Sequence, residues 1–413
     1  MSADANSTLF RKGFGLKTAV QGTLDADYSG RLVDMLREAD FTLTAGDTTV
    51  LLAREFGFCY GVERAVEYAY QTRSKFPERR LTLVGEIIHN PHVNAKLASM
   101  GIELLVPAQG STTVDYSGVG PEDVVILPAF GVTIQDFETL RGIGCVVVDT
   151  TCGSVLNVWK RVESYARDGF TALIHGKHYH EETRATASQV LKYPGGRYLV
   201  VRDMAEARVV CDFIEGALSA DELMRRLGHA ASPGFEPERD LRRIGVANQT
   251  TMLARESLAI AGEIAAAVGR GRGEGARAAD VRTFDTICSA TQDRQDAVLA
   301  LLEQPPDVML VIGGYNSSNT ISLAALCADR VPTYHVEDAS CIDVESGTIR
   351  HWNAAEKREV ERAGWIAQPG PLRVGITAGA STPNNKIGEA VARVFATRGI
   401  EVGVGVGVGA VKA

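Results

Sequence analysis

Short apolar runs alternate with amphipathic stripes along most of the chain. TTVLLARE, LTLVGEI, DVVILPA, CVVVD, TALIHG, RYLVV, RIGVAN, VMLVIGG, PTYHVED and LRVGITAG have the length and β-branched content of buried strands. Between them, Val62, Ala65, Val66 and Ala69 fall at i, i+3, i+4 and i+7, and Val155, Val158, Trp159 and Val162 repeat the stripe. Strands alternating with helices predict α/β architecture with parallel-rich sheets. In such sheets a ligand sits beyond the carboxyl ends of the strands. His89, His180, Thr250, Ser317 and Ser381 all follow such ends. Residues 1–46 read as an N-terminal extension, with a basic, aromatic LFRKGFGLK and a short helix in SGRLVDMLREAD. GRGRGEGARAAD reads as an exposed flexible loop, HAASPGFEPERD as a polar insert, and the tail 396–413, with EVGVGVGVGAVKA, as low-complexity sequence without a function.

One order of features recurs three times. Cys59, Cys152 and Cys288 each close an apolar run and open a helical pattern. A polar signature follows each, at His89 in EIIHN, His180 in HYHEE and Ser317 in GGYNSSN, after 30, 28 and 29 residues. A further strand end comes later in each third: ILPAFG, VANQTT and GITAGAS. This register predicts three similar α/β units, over residues 47–150, 151–279 and 280–395, around a shared centre.

Bulk composition narrows the function. The 413 residues are 45% hydrophobic and 23% charged, ordinary values for a globular protein with more than one core. A net charge of −8 and a pI near 5.6 argue against nucleic acid as the partner, which would need a basic stripe. An anionic substrate must then be held by local donors such as helix N-termini, hydroxyls, amides and imidazoles. Seven cysteines, an odd number in a long chain, do not form a disulfide framework and point to a reducing compartment. No run reaches transmembrane length, and MSADANSTLF has no secretory pattern, so no membrane is expected and the cytoplasm is the expected location.

Cysteines at helix starts have their thiolates favoured by the helix dipole, and thiolates hold iron–sulfur clusters. Three ligands for a cubane that takes four would leave one iron open for chemistry. An isolated cysteine is more often a small buried hydrophobe, and Cys145, Cys211, Cys327 and Cys341, which lack the register, read that way. HGKHYHEET permits a zinc site, with His178 and His180 on one face of a strand. It also permits an anion ligand at His180 with a proton donor at Glu182, or a solvated loop. In GGYNSSNT and GITAGAST, small residues let backbone approach a ligand, and Ser317, Ser318, Asn319 and Ser381 supply donors for phosphate oxygens. Neither loop has a P-loop lysine or dinucleotide spacing. Thr250 in NQTT is either a proton relay or a routine cap.

Taken together, FGFCYGVERA, EIIHNPHVN, VVDTTCGSV, HGKHYHEETRATAS, VANQTTML, FDTICSATQDRQDA, GGYNSSNT and TAGASTP, in this order, resemble the 4-hydroxy-3-methylbut-2-enyl diphosphate reductases, the LytB/IspH family. RKGFG and LPAFG look like its plant and cyanobacterial branch. The resemblance implies a trefoil of three α/β units around a 4Fe-4S cluster held by Cys59, Cys152 and Cys288, with one open iron. That iron would bind the substrate hydroxyl, and two electrons and protons would remove it as water, giving isopentenyl or dimethylallyl diphosphate. Glu182 would supply the proton, with Thr250 near the hydroxyl. His89, His180, Ser317, Ser318, Asn319 and Ser381 would hold the diphosphate, and a ferredoxin or flavodoxin would deliver electrons. Two positions depart from many relatives: Phe130 replaces a histidine, and Gly153 replaces a proline after Cys152, which suggests a looser turn. A redox sensor carrying a cluster would not need Glu182, Thr250 or the Ser-Asn loops, and a zinc hydrolase would leave the cysteine register unexplained.

Overall fold

The computed structural model describes residues 8–109, 111–284 and 286–402. The Gly-Val tail beyond residue 402 lies outside the described residues. Two compact units divide the chain. The first comprises the described residues up to Gly13, Lys75–Ile87 and Leu97–Cys288; the second comprises Phe14–Ser74, Ile88–Lys96 and the described residues from Ser289 on.

Two wholly parallel sheets build the first unit. One contains β1 (Leu9–Phe10), β4 (Leu81–Val84), β5 (Ile102–Leu105), β6 (Val124–Leu127) and β7 (Val146–Asp149), in the order β1-β7-β6-β4-β5. The other contains β8 (Thr171–His175), β9 (Tyr198–Val201), β10 (Ile244–Asn248) and β11 (Val281–Thr283), in the order β11-β10-β8-β9. The second unit carries one sheet of β2 (Thr42–Ala45), β3 (Thr48–Leu52), β12 (Val308–Ile312), β13 (Thr333–Val336) and β17 (Leu372–Ala378), in the order β13-β12-β17-β3-β2. Only the β2–β3 pair in it is antiparallel. A small antiparallel ribbon of β14 (Ile342–Asp343), β15 (Thr348–Asn353) and β16 (Arg358–Ala363) completes this unit.

The three sheets share a strand order: β7-β6-β4-β5, β11-β10-β8-β9 and β3-β17-β12-β13. In each, the first-named strand runs toward a cysteine: β7 toward Cys152, β11 toward Cys288 and β3 toward Cys59. The threefold pattern is therefore cyclic, since β3, near the start of the chain, closes a sheet made near its end. The stretch 47–150 thus lends its opening strand to the sheet of the third stretch. A strand's own residues specify its two faces but not its neighbours, so alternation could not reveal this pairing.

β6, β8 and β12 are buried along their whole length, as parallel strands covered on both faces must be. Each fully buried Val, Leu or Ile contributes roughly 1.5–3 kcal/mol through area removed from water. The amphipathic stripes fall where expected. Ala65, Val66 and Ala69 are buried in helix Tyr60–Lys75, and Val155, Val158 and Val162 in helix Gly153–Arg167.

The described part of the extension is packed onto the fold. β1 pairs with β7, and helix Arg31–Glu38 buries Leu32, Val33 and Leu36. The main-chain N–H groups of Phe14 and Leu16 donate to Gln71 Oε1 at 2.7 and 3.2 Å. Helix Lys17–Tyr28 has little apolar stripe to announce it and buries only Val20 and Tyr28. GRGRGEGARAAD is not a loop. Helix Ala254–Arg272 runs through its first part, Gly273 turns at φ +90°, and helix Glu274–Asp280 follows. Its glycines mimic a linker, but a Cβ at Gly271 would lie 2.6 Å from the Ile214 carbonyl, so close packing is the reason for that glycine. Arg270 also clamps Glu215 and Glu263 at 2.7 and 2.6 Å.

Candidate active site

In the first unit the site grows from the ends of β8 and β10. The turn after β8 ends at His180, which caps helix Glu181–Val190 by accepting the Glu182 N–H on Nδ1 at 3.2 Å. An acceptor Nδ1 places the proton of the neutral ring on Nε2, making that nitrogen a donor. Glu182 is 3% exposed, and its Oε1 accepts the main-chain N–H of Thr250 at 2.6 Å. The Thr250 carbonyl in turn accepts the Cys288 N–H at 3.4 Å. Gln249 locks the two turns together, its Oε1 accepting from the Lys177 N–H at 3.2 Å and the Thr183 hydroxyl at 3.1 Å.

Cys152 caps helix Gly153–Arg167 with an extended backbone, and its N–H donates to the Ala129 carbonyl at 2.8 Å. The helix starts regularly at Gly153, with Leu156 N–H bonded to the Cys152 carbonyl at 3.0 Å, so the looser turn expected from that glycine is not formed. Asp149 Oδ1 orders the approach to Cys152 by accepting the N–H and hydroxyl of Thr151, while its Oδ2 meets Arg11 at 3.2 Å. Phe130 presents an edge-to-face contact to the His180 ring, with centroids 6.3 Å apart. His178 does not share a strand face with His180. β8 ends at His175, and His178 lies in the exposed turn with its ring against that of His229, centroids 4.8 Å apart.

In the second unit, Cys59 opens helix Tyr60–Lys75 and donates its N–H to the Ala380 carbonyl at 3.3 Å. The Ala380 N–H donates to Asn319 Oδ1 at 2.9 Å. Asn319 Nδ2 is buried and has no hydrogen-bond partner among the described residues, a donor whose burial costs about 1–3 kcal/mol unless a ligand meets it. Ser317 caps helix Ser318–Ala328, the Ser381 hydroxyl donates to the His89 carbonyl at 3.1 Å, and Asn316 Nδ2 lies 3.4 Å from His89 Nδ1. Ser317, Ser318 and Ser381 are buried. Asn316 escaped the sequence reading, although it stands within GGYNSSNT.

The cysteines fall into two groups. Cys59, Cys152 and Cys288 are partly exposed, whereas Cys145, Cys211, Cys327 and Cys341 are buried. Burial pushes the thiols of Cys145, Cys211 and Cys327 up, the last two to about 12. The three partly exposed thiols are the ones that begin helices, and such a soft donor set fits an iron–sulfur cluster.

Parallel sheets whose strand ends carry cysteine-led helices, a buried carboxylate and serine- and asparagine-rich turns place this chain among α/β proteins with a ligand site at their strand ends. The chain belongs to the LytB protein family, which it matches over residues 50–395. It is 45% identical over 394 residues to the 4-hydroxy-3-methylbut-2-enyl diphosphate reductase of Gloeobacter violaceus, covering 95% of this chain and 93% of that one. To the enzyme of the same name from Thermosynechococcus vestitus it is 42% identical, with 97% of both chains covered. A solved structure of (E)-4-hydroxy-3-methyl-but-2-enyl diphosphate reductase, the terminal enzyme of the non-mevalonate pathway, superposes with a TM-score of 0.50 at 28% identity, over 84% of this chain and 99% of that chain. The E-1-hydroxy-2-methyl-but-2-enyl-4-diphosphate reductase of Plasmodium falciparum shares the fold, with a TM-score of 0.59 at 20% identity over 84% of this chain and 87% of that one.

Proposed function

We propose that this chain reductively dehydroxylates 4-hydroxy-3-methylbut-2-enyl diphosphate to isopentenyl and dimethylallyl diphosphates, the last step of the methylerythritol phosphate route to isoprenoids. The observation that carries this reading is the buried carboxylate of Glu182, fixed by the Thr250 N–H, on the same turn whose carbonyl holds Cys288.

Cys59, Cys152 and Cys288 are the thiolates for a 4Fe-4S cluster with one iron left open. Bound there, the cluster would relay two electrons, taken up one at a time from the carrier, and offer a Lewis-acidic iron, so that with two protons the allylic hydroxyl would leave as water and the carbon chain would gain one hydrogen. The chain's own residues do the rest. Thr250 N–H on Oε1 orients Glu182 so that Oε2 carries the proton delivered in the reaction. Thr250 lines the same turn beside the substrate hydroxyl. His180 and His89 offer Nε2–H donors, each having its Nδ1 engaged by a neighbouring N–H group. Ser317, Ser318, Asn319 and Ser381 bind diphosphate oxygens, and the start of helix Ser318–Ala328 adds main-chain N–H groups. These donors overcome a global charge of −8 that would otherwise repel the substrate. A small electron carrier, ferredoxin or flavodoxin, delivers the electrons singly. The reaction belongs to the cytoplasm, and among the described residues no helix is long and apolar enough to cross a membrane.

Anaerobic turnover with a reduced viologen dye, on protein assayed for iron and sulfide, tests the reading. Dye oxidation with release of both five-carbon diphosphates is expected. An intact cluster without turnover would overturn the reductase assignment in favour of a sensor.

A further inference from the structure

Arg294 is a buried cation with no acidic partner among the described residues. It is 4% exposed, on helix Ser289–Leu301, whose first residue follows Cys288 in the chain. Among the described residues its guanidinium hydrogen-bonds main-chain carbonyls alone. Nε and Nη2 donate to the Gly57 carbonyl at 3.2 and 2.6 Å, Nη2 also reaches the Phe56 carbonyl at 3.4 Å, and Nη1 donates to Ala290 O at 2.8 Å. No carboxylate lies within ion-pair distance of it among the described residues. Taking such an ion out of water costs several kcal/mol even after relaxation, and carbonyl dipoles offset only part of this. The guanidinium's fork satisfies three main-chain carbonyls, but these contacts leave its full positive charge without a counter-ion among the described residues.

The geometry points to the group that needs the charge. Gly57 sits at φ +66° in a cramped turn, where a Cβ would lie 3.1 Å from both Ile387 and the Thr382 carbonyl, and its N–H bonds the Ala378 carbonyl at 3.3 Å. It precedes Cys59 by two residues, a span of at most about 7 Å along extended chain. We propose that Arg294 is a positioning residue for the iron–sulfur cluster. It holds the turn that presents Cys59, and its fixed positive charge offsets the negative charge of the thiolate-bound cluster. The inference rests on the cluster assignment made above. Because the reduced cluster is the more negative form, a nearby cation favours reduction, and its removal makes reduction harder.

The test uses the full chain, reconstituted anaerobically, as wild type, Arg294→Gln and Arg294→Lys. The readouts are iron and sulfide content, midpoint potential by redox titration followed spectroscopically, and the rate of cluster loss to a chelator. Circular dichroism of the metal-free proteins checks folding. Arg294→Gln is expected to shift the potential to more negative values and to lose its cluster roughly 10- to 100-fold faster, the usual scale for residues that orient metal ligands. Arg294→Lys should stay close to the wild-type potential yet lose its cluster faster, since an ammonium cannot fork across two carbonyls. Wild-type potential and lability in Arg294→Gln would overturn the inference. If that variant does not fold, unchanged cluster loss in Arg294→Lys would overturn it equally. A wild-type chain that takes up no iron and sulfide would instead remove the cluster assignment.

Discussion

The Thr250 main-chain N–H donates to Glu182 Oε1 across 2.6 Å, joining two buried residues 68 positions apart in the chain. The bond fixes a carboxylate without using its charge, because an amide oxygen at the same place could accept the same proton. Glu182→Gln should therefore preserve the turn and substrate affinity while removing the proton source. We expect kcat to fall by about 100-fold or more, with KM changed little, as for loss of a general acid. Single-substrate kinetics on cluster-replete protein decides this, and near-normal kcat would eliminate Glu182 as the donor.

Cys288 is tied to the same turn through the Thr250 carbonyl. Cys288→Ser keeps that main-chain bond but replaces a soft thiolate by a hydroxyl that stays protonated at neutral pH. Stable cluster binding should be lost, with iron and sulfide per chain falling to a small fraction of wild type. An unchanged absorption spectrum at full occupancy would contradict the three-thiolate set.

Gly131 follows the phenylalanine that touches His180 and sits at φ +76°. A Cβ there would meet the Trp159 ring at 2.5 Å and Thr151 at 3.3 Å. Gly131→Ala should destabilise the chain by roughly 2–4 kcal/mol through combined backbone strain and overlap. A thermal midpoint equal to wild type would show that the turn relaxes freely.

Two histidines make stability depend on pH. His175 at the end of β8 and His335 in β13 are both buried, and desolvation holds each down at about 4. A depressed folded value means that protons bind the unfolded chain more readily. The stabilisation is therefore complete above the ordinary histidine value near 6.5 and is lost as pH falls from there through about 4. Each contributes on the order of 3 kcal/mol by linkage. The midpoint of metal-free protein should fall over that window, and His175→Gln should flatten the fall. An identical acid limb in His175→Gln would show that His175 does not contribute.

The local placement of many candidate site residues was legible as types and spacing. The helix-opening cysteines, His180 as a turn residue before EETRATAS, and the Ser-Asn loop after β12 all stand where the local pattern placed them. Thr250 was read as a proton relay or a routine cap, and the structure shows its main-chain N–H holding Glu182. Arg294 carried no signal, because an arginine in QDRQDA looks like any solvated helix charge. The glycines of GRGRGEGARAAD misled for the opposite reason, since tight packing and free turning use the same residue.

The sequence by itself determined the period of each element, the strands buried on both faces and the thiols that open helices. Those follow from φ/ψ preference, side-chain direction and burial within a few residues. Only the tertiary structure decided that β3 closes the sheet of β12 and β17, that Gln249 binds the two turns around His180 and Glu182, and that Arg294 grips Phe56 and Gly57. Those choices join residues far apart in the chain, where no local pattern specifies a partner. They are settled by which pairing leaves the fewest buried polar groups unsatisfied.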